Sequence, residues 1–238
     1  MRELTTFTAG TKAKSSEVNG NTTFLDPEQV GIYYVHNYDN DIQTAIDAAA
    51  TGGNVVLGVG TYNITTPLTI TTDGIKIIGS GNGSLIKDNG LINTECMISL
   101  DADYVTLRDF RLAGNDTDKV DGIRTTTGED CGALRMNNVR IHNVNGQAIR
   151  LEPSTNQFSV NIQACLLANN DMQYNTTYFN QLQDSQIIGN TIICTGAAGA
   201  QNSIALGAST GANAVIGNTL DDGVSDLGAN TVANNPAT

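Results

Sequence analysis

Apolar and polar residues alternate along this chain in short runs, and only one segment repeats at the spacing of a helix. Val105 and Leu107, Val139 and Ile141, and Val160 and Ile162 each straddle a polar residue. That is the period-two pattern of a strand with one face inward. The helical segment lies in NDIQTAIDAAATGGNVVLGVGTYNITTPLTITTDGIKIIGSG, residues 40–81. Ile42, Ala45, Ile46 and Ala49 recur there at three and four behind Asn40 as N-cap and Asp41 in the first turn, and Gly52 and Gly53 stop the run. The pattern predicts a helix over about 41–50. NVVLGVGTYNI and LTITTDGIKII follow, rich in Val, Ile and Thr and broken by Gly and Asp-Gly, so strands and tight turns are expected from there on. GIYYVHNY, residues 31–38, reads as a strand leading into the helix, with His36 a structural residue beside aromatics.

A repeat organises the remainder. Asn115, Asn143, Asn170, Asn190 and Asn218 each follow an apolar strand end, and Asn82 stands one further interval before the first of them. The intervals are similar, the step from Asn170 to Asn190 being the shortest. QIIGNTI and AVIGNTL are nearly superimposable copies. Recurrence every few tens of residues fits leucine-rich, helical or β-solenoid architectures. No helical stripe follows residue 53 and the leucine-rich consensus is missing, which leaves an all-β parallel β-helix. Stacked Asn side chains would satisfy one another's amides along such a ladder. Six anchors with strands ~4.8 Å apart give a regular part about 30 to 40 Å tall. The helix would cover the first raw edge, and residues 31–238 would form a single domain behind an arm, residues 1–30.

Composition supports a thin core. The 238 residues include 25 Gly, 4 Pro and no Trp, with 5% aromatic and 15% charged residues. Layered globules draw instead on large aromatics to fill their interiors. The formal charge is −12, from 24 acids against 12 scattered bases, so no basic patch for nucleic acid is expected. Such acidity also opposes acidic polysaccharides unless a local site supplies cations. Cys96, Cys131, Cys165 and Cys194 show no zinc spacing, and His36 and His142 are far apart, so these read as reduced, buried thiols. No cofactor is expected. Neither a secretory leader pattern nor a membrane-spanning run is evident, which points to synthesis in a cytoplasm and no membrane partner.

The arm has isolated apolar anchors, including Phe7, Val18, Phe24 and Leu25, and no period that builds a core. Its string TTFTAGTKAKSSEVNGNTTFL resembles a segment near the start of many phage tail-fibre and tailspike proteins. That resemblance makes these four residues virion-attachment candidates. DIQTAIDAAATGGNVVLGVGTYNITTPLTI, GIKIIGSGNGSLI and DYVTLRDFRLAGN together resemble the pectate-lyase-like right-handed parallel β-helix superfamily of polysaccharide-degrading enzymes and phage tailspikes. The resemblance covers about residues 31–232. It implies a homotrimer, displayed on the virion surface and docked on other virion proteins through the arm.

Fold does not carry chemistry by itself, so candidate sites are weighed residue by residue. Glycoside hydrolysis needs two carboxyls about 5 to 9.5 Å apart. Asp116, Asp121 and Glu152 are the acids singled out, with Asp118, Glu129, Asp130, Asp171 and Asp184 as further loop acids. A lyase, by the same resemblance, uses an Arg or Lys base near carboxylate-bound Ca²⁺. Arg108, Arg111, Arg124, Arg135, Arg140 and Arg150 supply bases in consecutive coils, and Asp116, Asp118 and Asp121 are the calcium candidates, though their spacing matches no standard loop. Tyr174 and Tyr178 are candidates for stacking on sugars. Tyr33, Tyr34, Tyr38 and Phe179 also belong to that class, and all of them equally suit packing. Five Asn-X-Ser/Thr segments, beginning at Asn21, Asn63, Asn82, Asn115 and Asn175, are what an Asn- and Thr-rich chain produces by chance. The known depolymerising tailspikes carry a longer solenoid and a separate trimerising domain. The leading expectation is therefore a non-enzymatic phage virion protein, a capsid decoration or short tail appendage, with host polysaccharide as a ligand. The alternative is a polysaccharide depolymerase, lyase or glycoside hydrolase. A surface adhesin would need a secretion signal.

Overall fold

A computed structural model describes residues 31–91, 95–115, 118–125, 132–153, 157–169, 175–194, 202–207, 210–226 and 229–236. The arm candidates Phe7, Val18, Phe24 and Leu25, with Asp116, Glu129, Asp130, Cys131, Asn170, Asp171 and Tyr174, lie outside the described residues.

The chain is an all-β parallel solenoid with three faces. Each coil runs along a first face, turns a tight corner onto a second, and crosses to a third. A column of inward residues traces the first face from rung to rung: Tyr33, Val55, Ile77, Leu107, Met136, Ile162, Ile187, Val215 and Val232. On the second face the inward column is Tyr62, Ile86, Leu112, Ile141, Leu167, Ile192 and Leu220. The strands Thr106–Ala113 and Arg135–Val144 span both faces, so these form one 16-stranded sheet. The third face is a separate seven-stranded sheet, and its inward column includes Ile70, Leu100, Leu151, Phe179 and Leu206. Nine rungs on the first face give eight intervals of ~4.8 Å, or about 38 Å, within the expected height. Ile, Leu and Val dominate because β-branched and aliphatic side chains stack on themselves in a thin interior.

The corner between the first and second faces bends through a left-handed residue, Asp109, Asn138, Ala164, Gly189, Gly217 or Asn234. The next residue points into the corner. In early coils it is Phe110, Val139 or Cys165; in later coils it is Asn190, Asn218 or Asn235. Here the Asn ladder exists as expected. Asn218 Oδ1 accepts the Asn190 backbone N–H at 3.0 Å, and Asn235 Oδ1 accepts that of Asn218 at 2.9 Å. Asn115 and Asn143 belong elsewhere, at the corner between the second and third faces, where Gly114 stands in register with Asn143 because Ala113 pairs with His142. The expected single ladder is thus two corners, and a count that runs from Asn143 to Asn190 passes from one corner to the other. The coils themselves are regular. On the first face they are marked off by Ile77, Leu107, Met136, Ile162, Ile187 and Val215, each in register with the next. A second amide stack lines the corner that leads onto the first face, where Ser185 N–H donates to Asn213 Oδ1 and Asn213 N–H to Asn230 Oδ1.

The cap helix spans Ile42–Ala48. Its N-cap is Asp41 rather than Asn40: the Asp41 carboxylate accepts the Thr44 backbone N–H and hydroxyl, while Asn40 takes a left-handed conformation. Ile42, Ala45, Ile46 and Ala49 are buried as the spacing required. Gln43 completes the seal. Its side-chain amide accepts the Thr69 N–H at 2.8 Å and donates to the Thr69 carbonyl at 3.1 Å, pairing the first strand of the third face as a neighbouring strand would. The strand predicted over 31–38 is Ile32–Tyr34 followed by a 3-10 turn, Val35–Tyr38, and the exposed His36 ring lies 5.5 Å from that of Tyr34.

Candidate functional site

The third face presents an outward column in strict register: Thr69, Ser99, Arg124, Arg150, Tyr178, Ala205 and Ser225. Outward positions stack rung on rung as inward ones do, so Arg124, Arg150 and Tyr178 sit on three consecutive rungs, ~4.8 Å apart along the axis. Two carboxylates flank them. Arg124 Nη1 lies 3.6 Å from Asp121 Oδ2, and Arg150 Nε donates to Glu152 Oε2.

The rungs above and below fix both acids. Asp121 Oδ1 accepts the Gln147 backbone N–H at 2.8 Å, and the Glu152 backbone N–H is held by Thr125 Oγ1 at 2.8 Å. Gly146 makes the Asp121 geometry possible, because a Cβ at that position would stand 2.4 Å from Asp121 Oδ1. The sequence groups Asp121 with solvated loop acids; it lies instead in the strand Asp121–Thr125 and is only 7% exposed. That burial raises its pKa above the ordinary carboxylate value, opposed by the Gln147 N–H and the charges of Arg124 and Arg150 and assisted by Glu152. For Arg150, burial acts to lower the pKa, but the hydrogen bond and charge of Glu152 outweigh it, and the net shift is upward. Arg150 therefore keeps its charge, and Asp121 holds its proton more tightly than a free carboxyl.

The remaining candidates divide. Tyr178 is half-buried on the column, whereas Phe179 points inward and is fully buried, which removes it from the stacking residues. Tyr33 is likewise core. Asp118 accepts a hydrogen bond from Asn115 Nδ2, and its N–H donates to Asn115 Oδ1. Among the described residues no group of three metal-ligating side chains forms. Asp184 occupies a left-handed corner position. The thiols Cys96 and Cys165 are free and buried, as expected. What the composition concealed is the pairing of Arg124 with Arg150. Its signal is the repeated Ile-Arg at 123–124 and 149–150, one coil length apart.

Comparisons with solved structures return the same architecture. The A-module of mannuronan C-5 epimerase AlgE4 from Azotobacter vinelandii superposes with a TM-score of 0.61 over 79% of this chain and 53% of the module, at 20% identity. The enzymatically active domain of bacteriophage CBA120 tailspike protein 2 matches with a TM-score of 0.51 over 77% of this chain and 33% of that one, at 13% identity. The fold is a parallel β-helix. This β-helix spans about half the length of the epimerase module, and at these identities the likeness carries architecture alone. No family model and no curated sequence matches the chain. No described helix is long and apolar enough to cross a membrane.

Proposed function

We propose that this β-helix is a virion-associated protein that holds an acidic host polysaccharide along its third face. The observation that carries the reading is the Arg124–Arg150–Tyr178 column. Two guanidinium groups on consecutive rungs offer forked donors to successive sugar carboxylates, and the tyrosine ring beside them offers a stacking surface. This is the local cation supply that a chain of charge −12 needs before it can take an acidic polymer. The named activity of the epimerase neighbour, on mannuronan, and the tailspike identity of the other support the substrate class and the setting. The arm's likeness to tail-fibre segments supports attachment through Phe7, Val18, Phe24 and Leu25, and a homotrimer belongs to the same reading. Pull-down of purified host capsular polysaccharide by the full chain tests it. Arg124→Gln with Arg150→Gln should weaken retention, and retention undiminished in that variant rejects the site. Deleting residues 1–30 should abolish virion attachment, and sedimentation equilibrium should give three copies per particle.

A depolymerase is the second reading, favoured by Asp121, a buried carboxyl that resists ionisation beside the Arg150–Glu152 pair. Such a group suits proton donation to a leaving oxygen. New reducing ends would mark a hydrolase and unsaturated sugars a lyase. Loss of either product in Asp121→Asn or Glu152→Gln would assign the chemistry here; no product from any host glycan leaves binding alone.

A further inference from the structure

The second face carries a different arrangement of charge. Its outward register places Arg111 beside Arg140, and in the next outward column Lys87, Ala113 and His142 follow one another. Four basic side chains thus converge across three rungs, around the small, buried Ala113. Lys87 and Arg140 are exposed, and Arg111 and His142 half-buried. Among the described residues no ion pair involves any of the four, whereas Arg124 and Arg150 on the third face are paired. In a chain with twice as many acids as bases, an unpaired basic group of this size is unexpected.

A second observation falls on the same ground. Only three buried side-chain nitrogen or oxygen atoms lack a hydrogen-bond partner among the described residues: Asp88 Oδ2, Arg111 Nε and His142 Nε2. All three belong to this face and its edge. Buried polar atoms are nearly always paired, so three orphans on one face and its edge set this region apart from the rest of the described surface. Asp88 is held from one side only, its Oδ1 accepting the N–H groups of Gly90 and Leu91. Beside it lies a depression of about 420 Å³, lined by Lys87, Asp88, Asn89, Gly114, Asn115 and Asn143. Besides the Lys87 and Asp88 side chains its walls are amides and glycine backbone, donors and acceptors suited to hydroxyls.

We infer that the second face is a separate binding site for a carboxylated polysaccharide. Carboxylates seat on Arg111, Arg140, Lys87 and His142, and hydroxyls enter the depression between Asp88 and Asn143. Nucleic acid fits less well, since neither outward column of the patch carries a Phe, Tyr or Trp for bases to stack on. This site stands on its own residues and does not depend on the reading of the third face.

Calorimetric titration of the full chain with an oligogalacturonate tests it, with dextran and a single-stranded DNA oligomer as comparison probes. Lys87→Gln combined with Arg140→Gln removes two exposed charges that make no side-chain hydrogen bond among the described residues, so folding should be preserved. The expected result is a drop of about tenfold in oligogalacturonate affinity at one class of sites, with the class removed by Arg124→Gln and Arg150→Gln unchanged. Raising the salt concentration should weaken the same class. If the third-face variant has no effect but Lys87→Gln/Arg140→Gln does, the present inference holds and the third-face reading falls. A Lys87→Gln/Arg140→Gln variant that titrates like the unaltered chain overturns it. So does equal binding of dextran, or tighter binding of the DNA.

Discussion

Asn218→Ala is the sharpest probe of what holds the later coils together. The Asn218 side chain is fully buried, accepts the Asn190 backbone N–H at 3.0 Å, and donates from Nδ2 to the Ile187 carbonyl at 2.9 Å. Alanine strands both backbone groups in a corner that water does not reach. Each orphaned buried group costs about 1–3 kcal/mol, so the substitution should destabilise by about 2–6 kcal/mol. Asn235→Ala, one rung on and only half-buried, should cost about 1 kcal/mol, because solvent replaces much of what is lost. Equilibrium unfolding in guanidinium chloride measures the two costs, and amide hydrogen exchange at Asn190 locates the damage. Stability in a stacked array is nearest-neighbour in character, so exchange should quicken around residues 187–218 and stay slow in the coils whose corners hold Phe110 and Val139. The reasoning fails if Asn218→Ala costs no more than Asn235→Ala, or if the Asn190 amide keeps its protection.

Three further outcomes are expected. Gly114→Ala puts a Cβ 2.1 Å from the Asn143 carbonyl oxygen, a clash with backbone that cannot rotate away, so soluble yield and thermal midpoint should collapse; Gly217→Ala, strained only by its left-handed φ of 66°, should cost about 1–2 kcal/mol. Because the pKa of Asp121 is raised in the fold, its contribution to stability is fully present below the unfolded value, near 3.8, and is lost as pH rises through the folded value; in paired unfolding curves Asp121→Asn should therefore gain on the unaltered chain as pH climbs from below that range to neutrality, and a flat difference would contradict the assignment. Burial pushes the Cys165 thiol up to about 11, so aromatic disulfide reagents should label it only at the rate of unfolding, as peptide mapping of the labelled chain would reveal.

The alternation of Val105 with Leu107 and of Val160 with Ile162 was enough to place inward residues, and the spacing of Ile42, Ala45, Ile46 and Ala49 was enough to place the cap. The corners were harder to read. Asp109, Asn138 and Ala164 bend the chain through positive φ and shift the alternation by one residue, so the inward positions run Leu107, Phe110, Leu112, and a single extra polar residue is all that marks the corner. Thr106–Ala113 therefore reads as one strand in sequence and serves two faces in space. The Asn anchors misled because Asn serves the corners in different ways: Asn143 is itself left-handed, whereas Asn190 and Asn218 follow a left-handed glycine and turn their side-chain amides into the corner. In the site, the recurrence of Ile-Arg one coil apart was visible, and so was Tyr178. The burial of Asp121 was not, because it depends on Gly146 lying opposite, a contact that only the closed coil creates.

The same geometry explains why so much of the surface chemistry had to be read rung by rung. In each strand, residues facing in and residues facing out alternate, so the inward column that specifies the fold shares no position with the outward column that meets a ligand. Ile123 and Ile149 could anchor identical coils whatever stood at 124 and 150. Two β-helices can thus share architecture at 20% identity while carrying unrelated outward columns. It follows that the informative feature is recurrence of a charged residue at one coil length on an outward position. The described residues show two such recurrences, Arg124 with Arg150 and Arg111 with Arg140, on different faces. The first is paired with carboxylates fixed from neighbouring rungs, whereas among the described residues the second makes no ion pair. The two columns thus differ in chemistry although the inward residues beneath them are alike.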